Sequence, residues 1–193
     1  MLSALHLWLN RLLQAVSITL LLSLLAMVVA AVIMRKAGQS LVWYDELASV
    51  LLAWLTYYGA ALAALQRAHL GFPGLLMALP PALRASLFFL AEAATVAFFV
   101  LAGYFGWKVL DIVAGEALVS LPWLGLPLVH SVIPIGAALF VLAQLVSLPK
   151  AYADMRAGRT AEDEEIADAL AETAELRAEA ESPSTAYSSG GQR

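Results

Sequence analysis

Residues 12–34 read LLQAVSITLLLSLLAMVVAAVIM, a run of 23 residues without a charged side chain. The hydrocarbon core of a bilayer is about 30 Å thick, and a helix rises about 1.5 Å per residue, so about 20 apolar residues span it. The run is uniformly apolar, whereas a strand of a membrane β-barrel alternates between apolar and polar residues. The stretch therefore predicts a transmembrane α-helix.

Three further stretches have the same character, namely 47–66, 85–107 and 127–148, and only Glu92 interrupts them. Hydrophobic residues make up 62% of the 193 residues and charged residues only 13%, whereas a soluble domain carries about 25% charged residues. This composition excludes an ordinary soluble enzyme. We predict an all-α membrane protein with four transmembrane helices within residues 1–150.

The first apolar run has a second interpretation, as a cleaved signal peptide, because Val29, Ala30 and Ala31 resemble a cleavage site. The apolar region of a signal peptide has only about 7–15 residues. The length of the run therefore favours a retained helix.

Lysine and arginine residues predict the orientation, since they are more frequent on the cytoplasmic side. With the N-terminus inside, six of them lie near the cytoplasmic ends of the spans and three near the outer ends. Both termini are therefore predicted to be cytoplasmic.

Residues 151–193 form a tail of different composition, and the chain from 150 onward holds ten acidic and five basic residues. Thr160 followed by acidic residues is typical of a helix N-terminus. We expect an acidic, partly helical tail that is solvated, or that docks on a partner, and that is disordered after about residue 182.

Two connections between the spans are apolar and rich in proline, at 67–84 and 118–128. They are too apolar for solvated loops and too broken by proline for spans. We expect them to lie in the membrane interface or under a partner, with a short interfacial helix at Leu75–Leu79. Pro134 is expected near the start of the fourth helix.

Glu92 is the one ionisable residue deep in a span, about 12 Å beyond the cytoplasmic end of the third helix. A charge at the bilayer centre is unfavourable by about 2.5–3.5 kcal/mol on insertion scales. Glu92 is therefore either a carboxylate that couples protons or substrate to transport, or a buried structural contact. The absence of a second intramembrane ionisable group favours the structural interpretation.

No catalytic constellation or phosphate-binding loop is apparent, and the chain has no cysteine. His6, His69 and His130 have no paired spacing on a helix, which argues against a haem anchor. We therefore predict no enzyme activity, no cofactor and no metal site.

Residues 43–69, WYDELASVLLAWLTYYGAALAALQRAH, resemble the DctQ-type small permease subunits of TRAP (tripartite ATP-independent periplasmic) transporters. The positions that fit the family pattern are Trp43, Glu46, Trp54, Gly59, Arg67 and His69. A later run from Gly115 to Gly136 is also similar, and the resemblance covers roughly residues 5–155. Ser49 departs from the pattern, since many members have an arginine there, and the sequence LGFPG after His69 lacks the acidic residue that members often have.

The resemblance implies a small integral subunit in the bacterial inner membrane, beside a large permease subunit. That large subunit would move an organic acid, usually a carboxylate, driven by a sodium gradient. A periplasmic binding protein would deliver the substrate. The resemblance and the residue placement together give structural or intersubunit roles to Trp43, Glu46, Trp54, Gly59, Arg67, His69 and Glu92. Glu46 would face the binding protein, and Arg67 and His69 would anchor the cytoplasmic side. The alternative is a self-contained, proton-coupled transporter that uses Glu92.

Overall fold

The computed structural model describes residues 2–67, 80–157, 166, 169–174 and 177. Over this part of the chain the regular elements are helices, namely α1 (Leu2–Lys36), α2 (Tyr44–Gln66), α3 (Pro81–Ile112), α4 (Leu126–His130) and α5 (Val132–Ala157).

Four helical segments are long and apolar enough to cross a membrane, namely Leu5–Lys36, Tyr44–Gln66, Leu83–Ile112 and Leu126–Ala157. The last segment combines α4 and α5. The prediction of an all-α chain with four helices able to span a membrane is therefore confirmed. The helices are longer than the charge-free runs, because a helix continues past the hydrocarbon core into the polar interface.

The core forms where α1, α2 and α5 meet. Its buried members are Leu9, Leu13, Ala61, Ala64, Leu65, Phe140 and Ala143. Alanine dominates the α2 contribution, and small side chains let helices approach closely in lipid, where packing drives association. α3 joins this group through Phe99, which stacks on Phe140 with ring centroids 3.6 Å apart.

Glycines mark two close approaches to α5. A Cβ atom added to Gly136 would lie 2.7 Å from the Cβ atom of Tyr57 on α2, and one added to Gly106 on α3 would lie 2.6 Å from Ile133 Cγ2. Both distances are too short for a real side chain. These helices therefore pack against α5 at a separation that only glycine permits.

Proline sets the starts of two helices. Pro81 lies in the first turn of α3, where its missing N–H would have had no intrahelical partner, and Pro134 lies in the first turn of α5. Pro149 lies inside α5. Pro134 therefore lies near the start of its helix, as expected from the sequence.

The connection between α3 and α4 folds back on itself. Ala117 and Gly125 form an antiparallel bridge, the backbone N–H of Leu118 donates to the carbonyl of Leu124, and that of Leu126 donates to the carbonyl of Glu116. These bonds satisfy backbone groups of an apolar loop.

The chain divides into two units, Met1–Tyr152 and Ala153–Arg193. In the second unit, the described residues at 166, 169–174 and 177 are helical, and Ile166 and Leu170 are exposed. His69, the helix expected at Leu75–Leu79 and the helix start expected at Thr160 lie outside the described residues.

Candidate functional site: polar contacts at the two ends of the bundle

Arg67 ends α2 in a left-handed backbone conformation, with φ of 56°. Its backbone N–H points back to the carbonyls of Ala63 and Ala64, which is a common way to terminate a helix. Non-glycine residues rarely adopt this conformation. The turn ends α2 and leaves the long guanidinium side chain free to reach α3 and α5.

The guanidinium forms an ion pair with Glu92, through Arg67 Nη1 and Glu92 Oε1. The exposed fractions of the two side chains are 22% and 13%, so the pair is largely enclosed by the protein. Glu92 lies one-third of the way along α3, a helix that is otherwise apolar at this depth. An opposite charge within contact distance is what makes an ionised carboxylate tolerable there.

Two further donors of Arg67 reach α5. Arg67 Nε donates to Ser147 Oγ at 2.8 Å, and Arg67 Nη2 donates to the backbone carbonyl of Gln144 at 3.2 Å. Ser147 is buried, and its hydroxyl also contacts the carbonyl of Ala64 at 3.3 Å. The fork of donors that arginine presents in fixed geometry suits such a junction, whereas a lysine would provide a single charged point.

Gln144 completes the cluster from α5. Its Nε2 atom donates to Glu92 Oε2 at 2.5 Å, so each oxygen of the carboxylate has a donor within the chain. We call Arg67, Glu92, Gln144 and Ser147 the polar junction. It joins the end of α2 to the interiors of α3 and α5.

Polar contacts between α1 and α2 lie at the same end of the bundle. Gln66 Nε2 donates to Asn10 Oδ1 at 3.0 Å, and a ring nitrogen of His6 lies 3.4 Å from the carbonyl of Leu65. α1, α2, α3 and α5 are therefore linked at this end by hydrogen bonds and an ion pair of their side chains.

A second set of contacts lies at the other end of α2. Glu46 and Arg67 are 21 residues apart, which corresponds to about 32 Å along a helix. Glu46 Oε2 accepts a hydrogen bond from the backbone N–H of Ser120 at 3.0 Å, and Trp54 Nε1 donates to the carbonyl of Val129 at 3.2 Å. These two bonds attach the folded connection and α4 to α2.

Of the other predicted residues that the structure describes, Trp43 and Gly59 belong to neither set. Trp43 precedes α2 in a helical conformation, and its carbonyl accepts from the N–H of Leu47 at 3.3 Å. Gly59 faces open space, since a Cβ atom added there would meet nothing within 4 Å. Sequence reasoning thus treated Arg67 and Glu92 separately, while the structure joins them.

The partners of these residues were not identified from the sequence. Gln144 and Ser147 could have been recognised as candidate partners, because an amide and a hydroxyl in an apolar span need hydrogen-bond partners. Ser120 and Val129 contribute only backbone groups. Backbone groups occur at every residue, so no sequence pattern distinguishes them.

Two cavities open on the described surface. One of about 400 Å³ lies beside Glu46 and Ser49, and the other, of about 430 Å³, lies between α3 and α5 and is lined by apolar residues. Among the described residues, no group of three or more His, Asp or Glu side chains could hold a metal ion.

Comparison with known proteins agrees with this architecture. Residues 24–153 match the model of the family described as tripartite ATP-independent periplasmic transporters, DctQ component. A search of curated proteins found no match. The family model covers about two-thirds of the chain and includes the polar junction and both contacts of α2 with the α3–α4 region. The chain therefore belongs to the DctQ component family of the TRAP transporters.

Proposed function

We propose that this protein is the small permease subunit of a TRAP transporter and serves as scaffold and assembly partner for a large permease subunit. In this proposal the large subunit takes up an organic acid of the carboxylate class together with sodium ions, and a periplasmic binding protein delivers the solute. The chain lies in the inner membrane of a bacterial cell with both termini in the cytoplasm.

The pairing of Glu92 is the observation that carries the proposal. A carboxylate that couples ions or substrate to transport must exchange its ligands during each cycle. Glu92 instead has both oxygens occupied by Arg67 and Gln144, from two other helices of the same chain. Separating them would leave charges uncompensated in the membrane, which is strongly unfavourable. This arrangement suits a subunit that keeps a single conformation.

The surface of the chain supports the same role. α1 exposes large apolar residues along most of its length, and no residue in the most apolar 18-residue stretch of α3 is buried within the chain. In a bilayer these faces contact lipid or another subunit. A scaffold requires stiff helices with such faces and does not require ligands of its own.

We assign the residues as follows. Arg67 and Glu92 fix the packing of α2, α3 and α5. Trp54 holds α4 against α2. Glu46 fixes the connection that precedes α4, on the side that would face the binding protein. Gly59 is open to a helix of the partner, because its missing side chain allows close approach. Trp43 and His69 are proposed interfacial anchors.

Affinity purification from the native membrane tests the proposal. The tagged chain should recover a large TRAP permease, identified by its peptides, and Gly59→Leu should reduce the recovery severalfold. Ala94→Leu is the matched control, because Ala94 is exposed on α3 and lies outside both cavities. Failure of the wild-type chain to recover a large permease would refute the proposed function, whereas normal recovery with Gly59→Leu would refute only the role of Gly59.

A further inference from the structure

The apolar cavity between α3 and α5 is a groove open to the outside of the bundle. Its volume is about 430 Å³, and its lining includes Phe99, Val100, Tyr104, Ala138, Leu142 and Leu145. Val100, Tyr104 and Leu145 are more than half exposed. Both helices can span a membrane, so the groove opens toward hydrocarbon, and something apolar must fill it.

The floor of the groove is already closed by contacts between the two helices. Phe99 stacks on Phe140, and a Cβ atom on Gly103 would lie 3.3 Å from the Cβ atom of Ala137. The small residues at this place therefore serve the contact of α3 with α5. They are not available to bring a third helix close.

The size of the groove distinguishes between a helix and a thinner occupant. One helical turn with its side chains is about 10 Å across and about 5.4 Å high, which gives roughly 400 Å³. The groove thus has the volume of a single turn, whereas a spanning helix has five or six turns. An extended hydrocarbon chain is thin enough to lie within it.

The positively charged side chain of Lys108 lies near one end of the groove. Lys108 Nζ lies 5.6 Å from the ring centroid of Tyr104, which lines the groove. Lys108 forms no ion pair with a carboxylate of the described chain, although Asp111 follows one turn later on α3. The neighbouring Trp107 is 65% exposed. Tryptophan, tyrosine and lysine together are typical of the level of the lipid headgroups.

We propose that this groove binds one phospholipid, with an acyl chain lying along α3 and α5 and the phosphate beside Lys108. The groove supplies apolar contact along the chain, and Lys108 supplies the charge that complements the headgroup. The proposal depends on the embedding of α3 and α5 in a bilayer and is independent of the solute that the transporter carries.

Native mass spectrometry of the purified whole chain, titrated with phosphatidylglycerol, tests the site. The wild type should bind one lipid more tightly than any further lipid. Ala138→Trp fills the groove from an exposed position and should weaken this binding at least tenfold, whereas Ala94→Trp, outside the groove, should leave it unchanged. Lys108→Ala should weaken it about fivefold, the effect of one lysine near an anionic lipid surface, and Lys36→Ala at the end of α1 should have no effect.

Wild-type binding by Ala138→Trp would overturn the proposal. So would loss of the large permease from Ala138→Trp preparations with unchanged lipid binding, since the groove would then be a protein interface. Circular dichroism verifies that each variant is folded. If the Ala138→Trp variant is not folded, the comparison of Lys108→Ala with Lys36→Ala tests the site. Equal affinities of these two variants for phosphatidylglycerol would overturn the proposal.

Discussion

At the scale of single residues, the polar junction accounts for the presence of a carboxylate within an apolar helix. Arg67 reaches Glu92 because α2 ends at Gln66 and Arg67, the residue that follows, adopts a left-handed conformation. The three donors of the guanidinium then contact α3 and α5 together. A local backbone feature of one helix thus determines how three helices are joined.

Removing one charge of the pair should destabilise the protein more than removing both. Arg67→Leu or Glu92→Leu leaves a partly buried charge without its partner, which typically costs about 3–5 kcal/mol. The double substitution removes both charges and should recover much of the loss. Thermal unfolding of the wild type, the two single variants and the double variant in detergent gives the coupling free energy between Arg67 and Glu92.

Lys36→Leu is the matched control for these variants. Lys36 is exposed at the end of α1, so its substitution should change the midpoint of thermal unfolding little. Additive effects of Arg67→Leu and Glu92→Leu would contradict the structural role of the pair.

The pair could be predicted only in part from the sequence. The depth of Glu92 follows from its place in a charge-free run, and this alone indicates that it needs a partner. The identity of the partner does not follow, because Arg67 lies 25 residues away and was placed at the membrane boundary. The length of the arginine side chain, which carries the guanidinium well beyond the backbone turn, closes that gap.

At the scale of the helices, close packing depends on particular glycines. A Cβ atom added to Gly136 would clash with Tyr57, and one added to Gly106 would clash with Ile133. A Cβ atom added to Gly59 would have no neighbour within 4 Å. Glycine in the middle of a helix is otherwise unfavourable by about 0.5–1 kcal/mol relative to alanine. The three glycines therefore differ in what a methyl group would do.

Gly136→Ala should destabilise the isolated chain by about 1–3 kcal/mol, because the new Cβ atom would have to displace the Tyr57 side chain. Gly59→Ala should leave the unfolding midpoint unchanged or raise it, because the methyl group enters open space and improves helix propensity. The comparison requires only thermal unfolding of the two variants in the same detergent. Equal midpoints would show that the approach of α5 to α2 is not limited by Gly136.

The number of helices able to span a membrane was predictable because the bilayer imposes a single requirement, about 20 predominantly apolar residues, and four stretches satisfy it. The turns between α3 and α5 were not predictable in detail. Their shape depends on the bridge of Ala117 with Gly125 and on the hydrogen bond from Ser120 to Glu46. The hydrogen bond joins residues 74 positions apart, and neither contact leaves a periodic pattern in the sequence.

At the scale of the whole molecule, the chain offers a direct test of its proposed orientation because it contains no cysteine. Single cysteines at Gln39 and Glu116, both exposed in connections that the proposed orientation places outside, should react with a membrane-impermeant maleimide in intact spheroplasts. A cysteine at Ser189 should react only after permeabilisation. The reverse pattern would place the termini in the periplasm and contradict the distribution of lysine and arginine.

The distribution of polar groups also describes the molecule as a whole. Arg67, Glu92 and Gln144 bond to one another across helices, while α1 and α3 expose many large apolar side chains. This organisation supports the proposed role as a subunit of a larger membrane assembly. Transport by the chain alone would require Glu92 to leave its partners.

Uptake into proteoliposomes tests this central claim most directly. The chain is reconstituted alone, with its co-purified large permease, and with the permease plus the binding protein, using a labelled carboxylate that the binding protein binds. We predict uptake only when all three proteins and an inward sodium gradient are present. Uptake by this chain alone, abolished by Glu92→Gln, would contradict the account.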